Sequence, residues 1–322
     1  MRGGWVEISE CSGTLKEMVE EIETVIIGKR KVIEQALFGV LARGHVLFED
    51  YPGLAKTMLV RMISKTLGCS FKRIQFTPDL LPSDITGTYM LDQKTREFVL
   101  RRGAVFTNVL LCDEINRAPP KTQSALLEAM QERTITLDLE TMPLPDPFVV
   151  FATQNPIEYE GTYPLPEAQV DRFIMRLRVG YPEKEDEVTI LKGRKERKSD
   201  EFDVETIVSP GQVLEMQASI ESVHVSDAIM QYITDVVRNT RTHQQAEIGS
   251  SPRGSLALMK LSMARAAYLN RDYVIPDDVK AVAVPALAHR IILKPEPWIK
   301  GVKTESVVEN VLSKTPVPKG ER

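Results

Sequence analysis

His45 to Phe48 reads as a short buried strand, residues 50–57 (Asp-Tyr-Pro-Gly-Leu-Ala-Lys-Thr) as a loop, and Met58 to Leu67 as a helix closed by Gly68. A strand feeding a glycine-bearing loop that ends in Lys-Thr at the start of a helix leaves few structural solutions. The helix opens with unpaired N–H groups aimed into the loop. A polyphosphate needs such donors, a mobile cation on its β and γ oxygens, and a hydroxyl that helps to hold Mg2+. On this reading Lys56 contacts the β and γ phosphates, Thr57 ligates the metal and Gly53 permits the tight turn, while Pro52, Leu54, Ala55 and Met58 complete the loop around the nucleotide. Asp50 stands where the usual pattern has its first glycine and Ala55 where it has its second. Aspartate tolerates left-handed backbone better than most residues, and alanine adds one methyl, so the loop is expected to survive both changes. Taken alone, a chance Gly-x-x-Lys-Thr turn explains it equally well.

A second element breaks that tie. Val109-Leu110-Leu111-Cys112 is an apolar run ending in Asp113 and Glu114, and the carboxyl end of a central strand is where the crevice of an open α/β sheet lies. Asp113 is expected to bind Mg2+ through water, and Glu114 to polarise the attacking water as general base. A solvated acidic turn after a core strand is the plainer alternative, and it is less common for an adjacent acid pair. After the apolar Phe148 to Ala152 comes Thr153-Gln154-Asn155. Asn155 is a candidate to orient the water or sense the γ-phosphate; without the other two elements an ordinary Asn-Pro turn would be preferred.

Around these motifs, Thr14 to about Gly44 carries helical periodicity punctuated by Gly28. Strands are expected at Phe71 to Phe76, Phe98 to Leu100 and Thr134 to Leu137, and a helix at Lys121 to Glu132 begins beside Pro119 and Pro120. Alternating strands and helices predict an α/β fold, a mainly parallel sheet covered on both faces. After Val179 strand signals vanish: Lys184 to Asp203 is densely charged, and Val225 to Arg241, Pro252 to Leu269 and Pro276 to Arg290 read as helices, the middle one capped by Ser251. With 322 residues the chain suits two domains, here a nucleotide-binding core over 1–182 and a linker with a smaller all-helical lid over 183–322.

With these residues in hand, the sequence resembles the MoxR subfamily of AAA+ ATPases from about Val25 to Pro318. The marks are Tyr51 to Thr57, Gln75 to Gly87, Asp113 to Arg133, Ala152 to Glu158, Gly161 to Phe173, and Ser251-Pro252-Arg253. In that family alanine at position 55 is usual. The resemblance implies that Arg172 is an arginine finger reaching a neighbouring subunit's nucleotide, that Arg253 is the sensor 2 arginine of the lid, and that Ile27 and Gly28 lie beside the adenine. A guanidinium on the γ oxygens stabilises transition-state charge by a factor on the order of a thousand or more. The resemblance further implies inserts within Phe71 to Phe106 and Thr134 to Phe148, and ATP and Mg2+ as cofactors. It implies a homo-oligomeric ring, expected to be a hexamer, and chaperone-like remodelling or maturation of a protein client, including metal-cofactor insertion, with a von Willebrand factor A domain protein as adaptor.

Two other classes stay open on sequence: a nucleotide-gated binding scaffold with little turnover, and a DNA-acting motor. The net charge of −4 argues against nucleic acid. Three widely spaced cysteines and four histidines show no ligand spacing, and Cys112 reads as a small buried residue. No run of about 18 apolar residues and no signal pattern is present, so a cytoplasmic location is expected.

Overall fold

The computed structural model describes residues 6–137, 140–155 and 162–318. Parts of two of the motifs above, Pro156 to Glu158 and Gly161, lie outside the described residues. The chain opens with helices Ile8–Glu23 and Arg30–Leu41. In the first, Cys11, Leu15, Met18, Val19 and Ile22 are buried along one stripe, the spacing of a helix with one face inward. Gly28, at φ +71°, turns the chain between the two.

Five strands form the main sheet in the order Phe71–Gln75, Val109–Asp113, Val149–Gln154, Val46–Glu49, Met175–Leu177, and every neighbouring pair is parallel. The expected parallel α/β sheet is therefore present. Alternation along the strands divides the core. Val46, Phe48, Val109, Leu111, Val149 and Phe151 enter one apolar cluster, and Leu47, Leu110, Cys112, Val150 and Ala152 enter another on the opposite face, the period-2 arrangement of a sheet buried on both sides. Helix Pro120–Glu132, with Pro119 as its cap and Pro120 in its first turn, covers the second face.

Two expectations need correction. Phe98 to Leu100 does not join the main sheet; Phe98–Arg102 pairs antiparallel with Gly87–Leu91 as a hairpin of mostly exposed residues. Its side chains have no second layer to bury against, so it stays a two-stranded excursion. A second hairpin, Thr134–Leu137 with Glu140–Pro143, lies within reach, and Tyr89 Oη donates to Glu140 Oε2 at 2.6 Å. The second correction concerns the lid, which is not wholly helical: Ala246–Ile248 pairs antiparallel with Ile292–Leu293. Each segment is too short to show a period of two in sequence.

The charged stretch after Val179 forms helix Lys184–Arg197, with no buried residue. Beyond it come helices Pro210–Ile220, Asp227–Arg241, Pro252–Tyr268, Pro276–Leu287 and Thr304–Lys314. Three are N-capped by serine hydroxyls, Ser209, Ser226 and Ser251. Asp278, fully buried, is clasped by Arg265 and Arg271, which ties the last turn of helix Pro252–Tyr268 and the connection after it to the start of the next helix.

His45 anchors the amino end of strand Val46–Glu49. Its Nδ1 accepts from Val150 N–H at 3.0 Å and its Nε2 lies 2.9 Å from Met130 O, so the proton sits on Nε2. Burial lowers its pKa from 6.5 to about 4. Because the folded value is the lower one, the unfolded chain takes up a proton that the folded chain refuses between pH 6.5 and 4. Stability should fall as pH drops through that window, by about 3 kcal/mol from this residue. Urea midpoints measured across pH 7 to 4 should decline less steeply in His45→Gln; an unchanged slope would rule His45 out as a source.

Candidate active site

Parallel pairing brings the carboxyl ends of three strands to one edge. Glu49 lies opposite Gln154, and Cys112 opposite Ala152. Residues 50–57, 113–114 and 153–155 therefore leave the sheet side by side. They enclose a cleft of about 470 Å³ whose wall includes residues 52–58, Asp113, Glu114, Thr153 and Asn155. Lys56, Thr57, Asp113, Glu114 and Asn155 are thus gathered in one place.

Within the loop the strained residue is Ala55, at φ +56°, with Gly53 at φ +82°. Asp50 does not draw on its tolerance of left-handed backbone, because it has no positive φ. Its carboxylate is buried, Oδ1 accepting from Tyr51 N–H at 2.9 Å and Oδ2 from Gly180 N–H at 2.6 Å. Asp50 therefore ties the start of the loop to the chain leaving the edge strand, a bond that glycine has no side chain to make. No side chain caps helix Lys56–Thr66, so its first N–H groups face the cleft as an anion-binding end. Lys56 Nζ donates to the carbonyls of Asp50 at 2.7 Å and Tyr51 at 2.8 Å. Burial lowers the pKa of its amine, while the carboxylates of Asp50, Asp113 and Glu114 pull it back up. Free helix-end donors, one amine and one hydroxyl on one side, with two carboxylates opposite, fit a polyphosphate carrying a divalent cation.

The carboxylates are held by neighbours that the sequence reading did not single out. Thr153 Oγ1 donates to Asp113 Oδ1 at 2.6 Å and accepts from Glu114 N–H at 2.8 Å. Arg73 Nη2 lies 2.6 Å from the other oxygen of Asp113. Glu114, itself left-handed at φ +56°, accepts from Gln75 Nε2 at 2.7 Å and Arg117 Nη1 at 3.0 Å. The signal for Arg73 and Gln75 was their spacing of two on a strand next to Val109–Asp113, with Gln75 in register with Asp113.

Arg172 and Arg253 lie elsewhere. With Asp171, His45 and Arg290 they line a separate cleft of about 440 Å³ that shares no residue with the first. His45 and Ile174 precede their strands, which places this cleft at the amino edge of the sheet. Across the four residues of Val46–Glu49 the two edges stand about 13 Å apart at 3.3 Å per residue. The side chain of Arg172 has a buried Nε with no hydrogen-bond partner. Ile27 and Gly28 line neither cleft; a Cβ on Gly28 would collide with the Asp186 carboxylate, and Lys29 Nζ donates to Tyr181 O at 2.8 Å.

Comparison with known proteins bears on the family and the fold. The profile described as "ATPase family associated with various cellular activities (AAA)" matches residues 45–175, and that of the AAA lid domain matches 238–311. Protein YeaC of Bacillus subtilis is 49% identical over 94% of this chain and 95% of its own. Chaperone MoxR1 of Mycobacterium tuberculosis is 42% identical over 95% of this chain and 82% of its own. A crystal structure from Cytophaga hutchinsonii superposes with a TM-score of 0.90 at 42% identity, covering 97% of each chain. Motifs, sheet order, lid and relatives converge: the chain belongs to the MoxR family of AAA ATPases, and it hydrolyses ATP.

Proposed function

We propose that this ATPase acts as a chaperone-like remodeller in a homo-oligomeric ring, a hexamer, in which each ATP lies between two subunits. The supporting observation is the separation of the two clefts. Lys56, Asp113 and Glu114 line the carboxyl edge of the sheet, and Arg172 and Arg253 the amino edge, so one chain carries two halves of a site facing away from each other. Halves at opposite edges meet when copies pack head to tail, and a head-to-tail contact that closes makes a ring.

In this reading the loop of one subunit binds the phosphates, and Glu114 takes the proton of the attacking water while Asn155 orients it. Mg2+ would be held by Thr57 and, through water, by Asp113, where it would neutralise charge on the β and γ oxygens. The next subunit brings Arg172 and Arg253 to the γ-phosphate. Ile27 and Gly28 would flank the adenine. The division into 1–182 and 183–322 then separates the phosphate-binding core from the part that carries Arg253. The name of Chaperone MoxR1 supports a protein client, and family resemblance supports a von Willebrand factor A domain adaptor and metal-cofactor insertion; the three widely spaced cysteines fit a cytoplasmic setting. No helix among the described residues is long and apolar enough to cross a membrane.

Arg172→Ala should reduce hydrolysis about a thousandfold and leave ATP binding intact. Mixing it with Lys56→Ala subunits should restore turnover at the interfaces that pair an intact loop with an intact arginine. Full turnover by Arg172→Ala alone would overturn the arrangement. Arg73 competes with a cation for Asp113, and a half-exposed ion pair is worth up to about 1 kcal/mol. Arg73→Ala should therefore lower the Mg2+ concentration for half-maximal turnover by about two- to fivefold, read from a Mg2+ titration; a higher requirement would mean that Arg73 helps to bind the nucleotide. Glu114→Gln, loaded with ATP, should retain client and adaptor in affinity capture; recovery of the ATPase alone would count against remodelling.

A further inference from the structure

The residues on either side of Arg172 are both fastened to the lid. Among the described residues, every side-chain partner of Asp171 comes from the lid: Ser251 Oγ donates to its Oδ2 at 3.0 Å, Arg290 Nε lies 3.3 Å from its Oδ1, and Arg253 Nη1 lies 3.9 Å from its Oδ2. On the other side, Arg290 donates to Phe173 O through Nη2 at 2.8 Å and Nη1 at 3.2 Å. One guanidinium therefore spans the residues before and after Arg172. Arg172 itself forms no ion pair among the described residues.

We propose that Asp171 and Arg290 are positioning residues that lock segment 171–173 to the lid, so that Arg172 and Arg253 are presented to a neighbouring subunit's ATP as one rigid unit. This rests on the reading of Arg172 as a group acting across the subunit boundary. An ordinary surface ion pair does not explain the contacts, because the side chains of Arg290 and Asp171 are only 3% and 17% exposed, and a buried pair holds its geometry where a solvated one wanders. Burial lowers the pKa of Arg290 to about 10, with the Asp171 carboxylate opposing that shift. His289 beside it is held neutral by burial and by the charges of Arg290 and Arg176, so it adds no competing cation.

The charges also show what the unit is built to receive. Two guanidiniums, those of Arg253 and Arg290, approach the Asp171 carboxylate, and Arg172 is the next residue along the chain. Arg253 is half exposed and the more distant of the two, so it is the one most readily turned toward an incoming anion, while Arg290 stays behind as the fixed counter-charge. Ser251 couples the unit to the lid backbone, because the hydroxyl that reaches Asp171 also accepts from Arg253 N–H at 3.2 Å as the cap of helix Pro252–Tyr268. Any tilt of that helix thus carries Arg172 with it.

The test uses the full chain with Asp171→Asn, and with Arg290→Lys as a second variant that keeps the buried charge should the first not fold. Each should lower kcat about ten- to a hundredfold, the cost of misplacing a catalytic group by an ångström, with KM for ATP changed by less than about twofold. In an Arg172→Lys background the same substitutions should add less than about a twofold further loss. Lys56→Ala subunits that also carry Asp171→Asn should fail to rescue Arg172→Ala subunits, although Lys56→Ala alone rescues them. Unchanged kcat in both variants, an equal loss in both backgrounds, or rescue by the double variant would overturn the proposal. Full turnover by Arg172→Ala would instead overturn the reading beneath it, a separate outcome.

Discussion

Parallel pairing of the three central strands is the constraint from which the site follows. Because Val46–Glu49, Val109–Asp113 and Val149–Gln154 run the same way in close register, everything that follows them emerges at one edge and everything that precedes them at the other. Reversing any one would put Lys56, Asp113 and Thr153 on different sides of the sheet. The register is held by apolar alternation, since a slip of one residue would turn Phe48 and Phe151, stacked at 6.0 Å, out of their cluster. Thr153 then fastens the two catalytic strands together at the edge, with one hydroxyl serving both the Asp113 carboxylate and the Glu114 backbone. His45 does the equivalent at the other end, joining the start of one strand to Val150 and to the helix that ends beyond Met130.

The two edges differ in charge in a way that suits different parts of one ligand. The carboxyl edge mixes an amine, helix-end N–H groups and two carboxylates, an environment for phosphates together with a cation. The amino-edge cleft is lined by Arg43, Arg133, Arg172, Arg253, Arg290 and Lys260 with Asp171, an excess of positive charge which, under the ring proposal, would face the charge that builds on a γ-phosphate during transfer. Arg73 and Gln75 belong to neither category; they hold Asp113 and Glu114 from the adjoining strand, so the proposed general base is already oriented.

Sequence made the locally encoded chemistry legible. Lys56 and Thr57 sit at fixed offsets from Gly53, Asp113 and Glu114 close an apolar run, and the proline and serine starts of the lid helices carry their own physical signal. What depended on tertiary register was not legible. Arg73 and Gln75 alternate along Phe71 to Gln75, but only the pairing with Val109–Asp113 reveals that they reach Asp113 and Glu114. Nor was it legible that Asp50 is satisfied by the Gly180 amide, 130 positions away. The Phe98 segment looks like a strand and is one, but sequence carries no sign of which sheet it joins. Resemblance supplied roles for Arg172 and Arg253, and only the fold reveals that they share a cleft remote from Lys56.

The lid also bears on how hydrolysis would do mechanical work. One continuous apolar cluster runs from the sheet face through helix Ile8–Glu23 into helices Pro252–Tyr268 and Pro276–Leu287, and Ser12 Oγ donates to Tyr268 O at 2.8 Å across that junction. A cut at 182/183 therefore marks a change of architecture without separating two cores. Swinging the lid open would expose part of that cluster to water, at a cost of about 25 cal/mol for each Å². Under the ring proposal the motion within a subunit is then a small sliding of packed helices, and the larger displacement falls between subunits. Under the positioning proposal Arg290 and Asp171 would pass such slides on to Arg172. A shift of an ångström at the lid would then be felt at the neighbour's γ-phosphate, where geometry controls rate steeply.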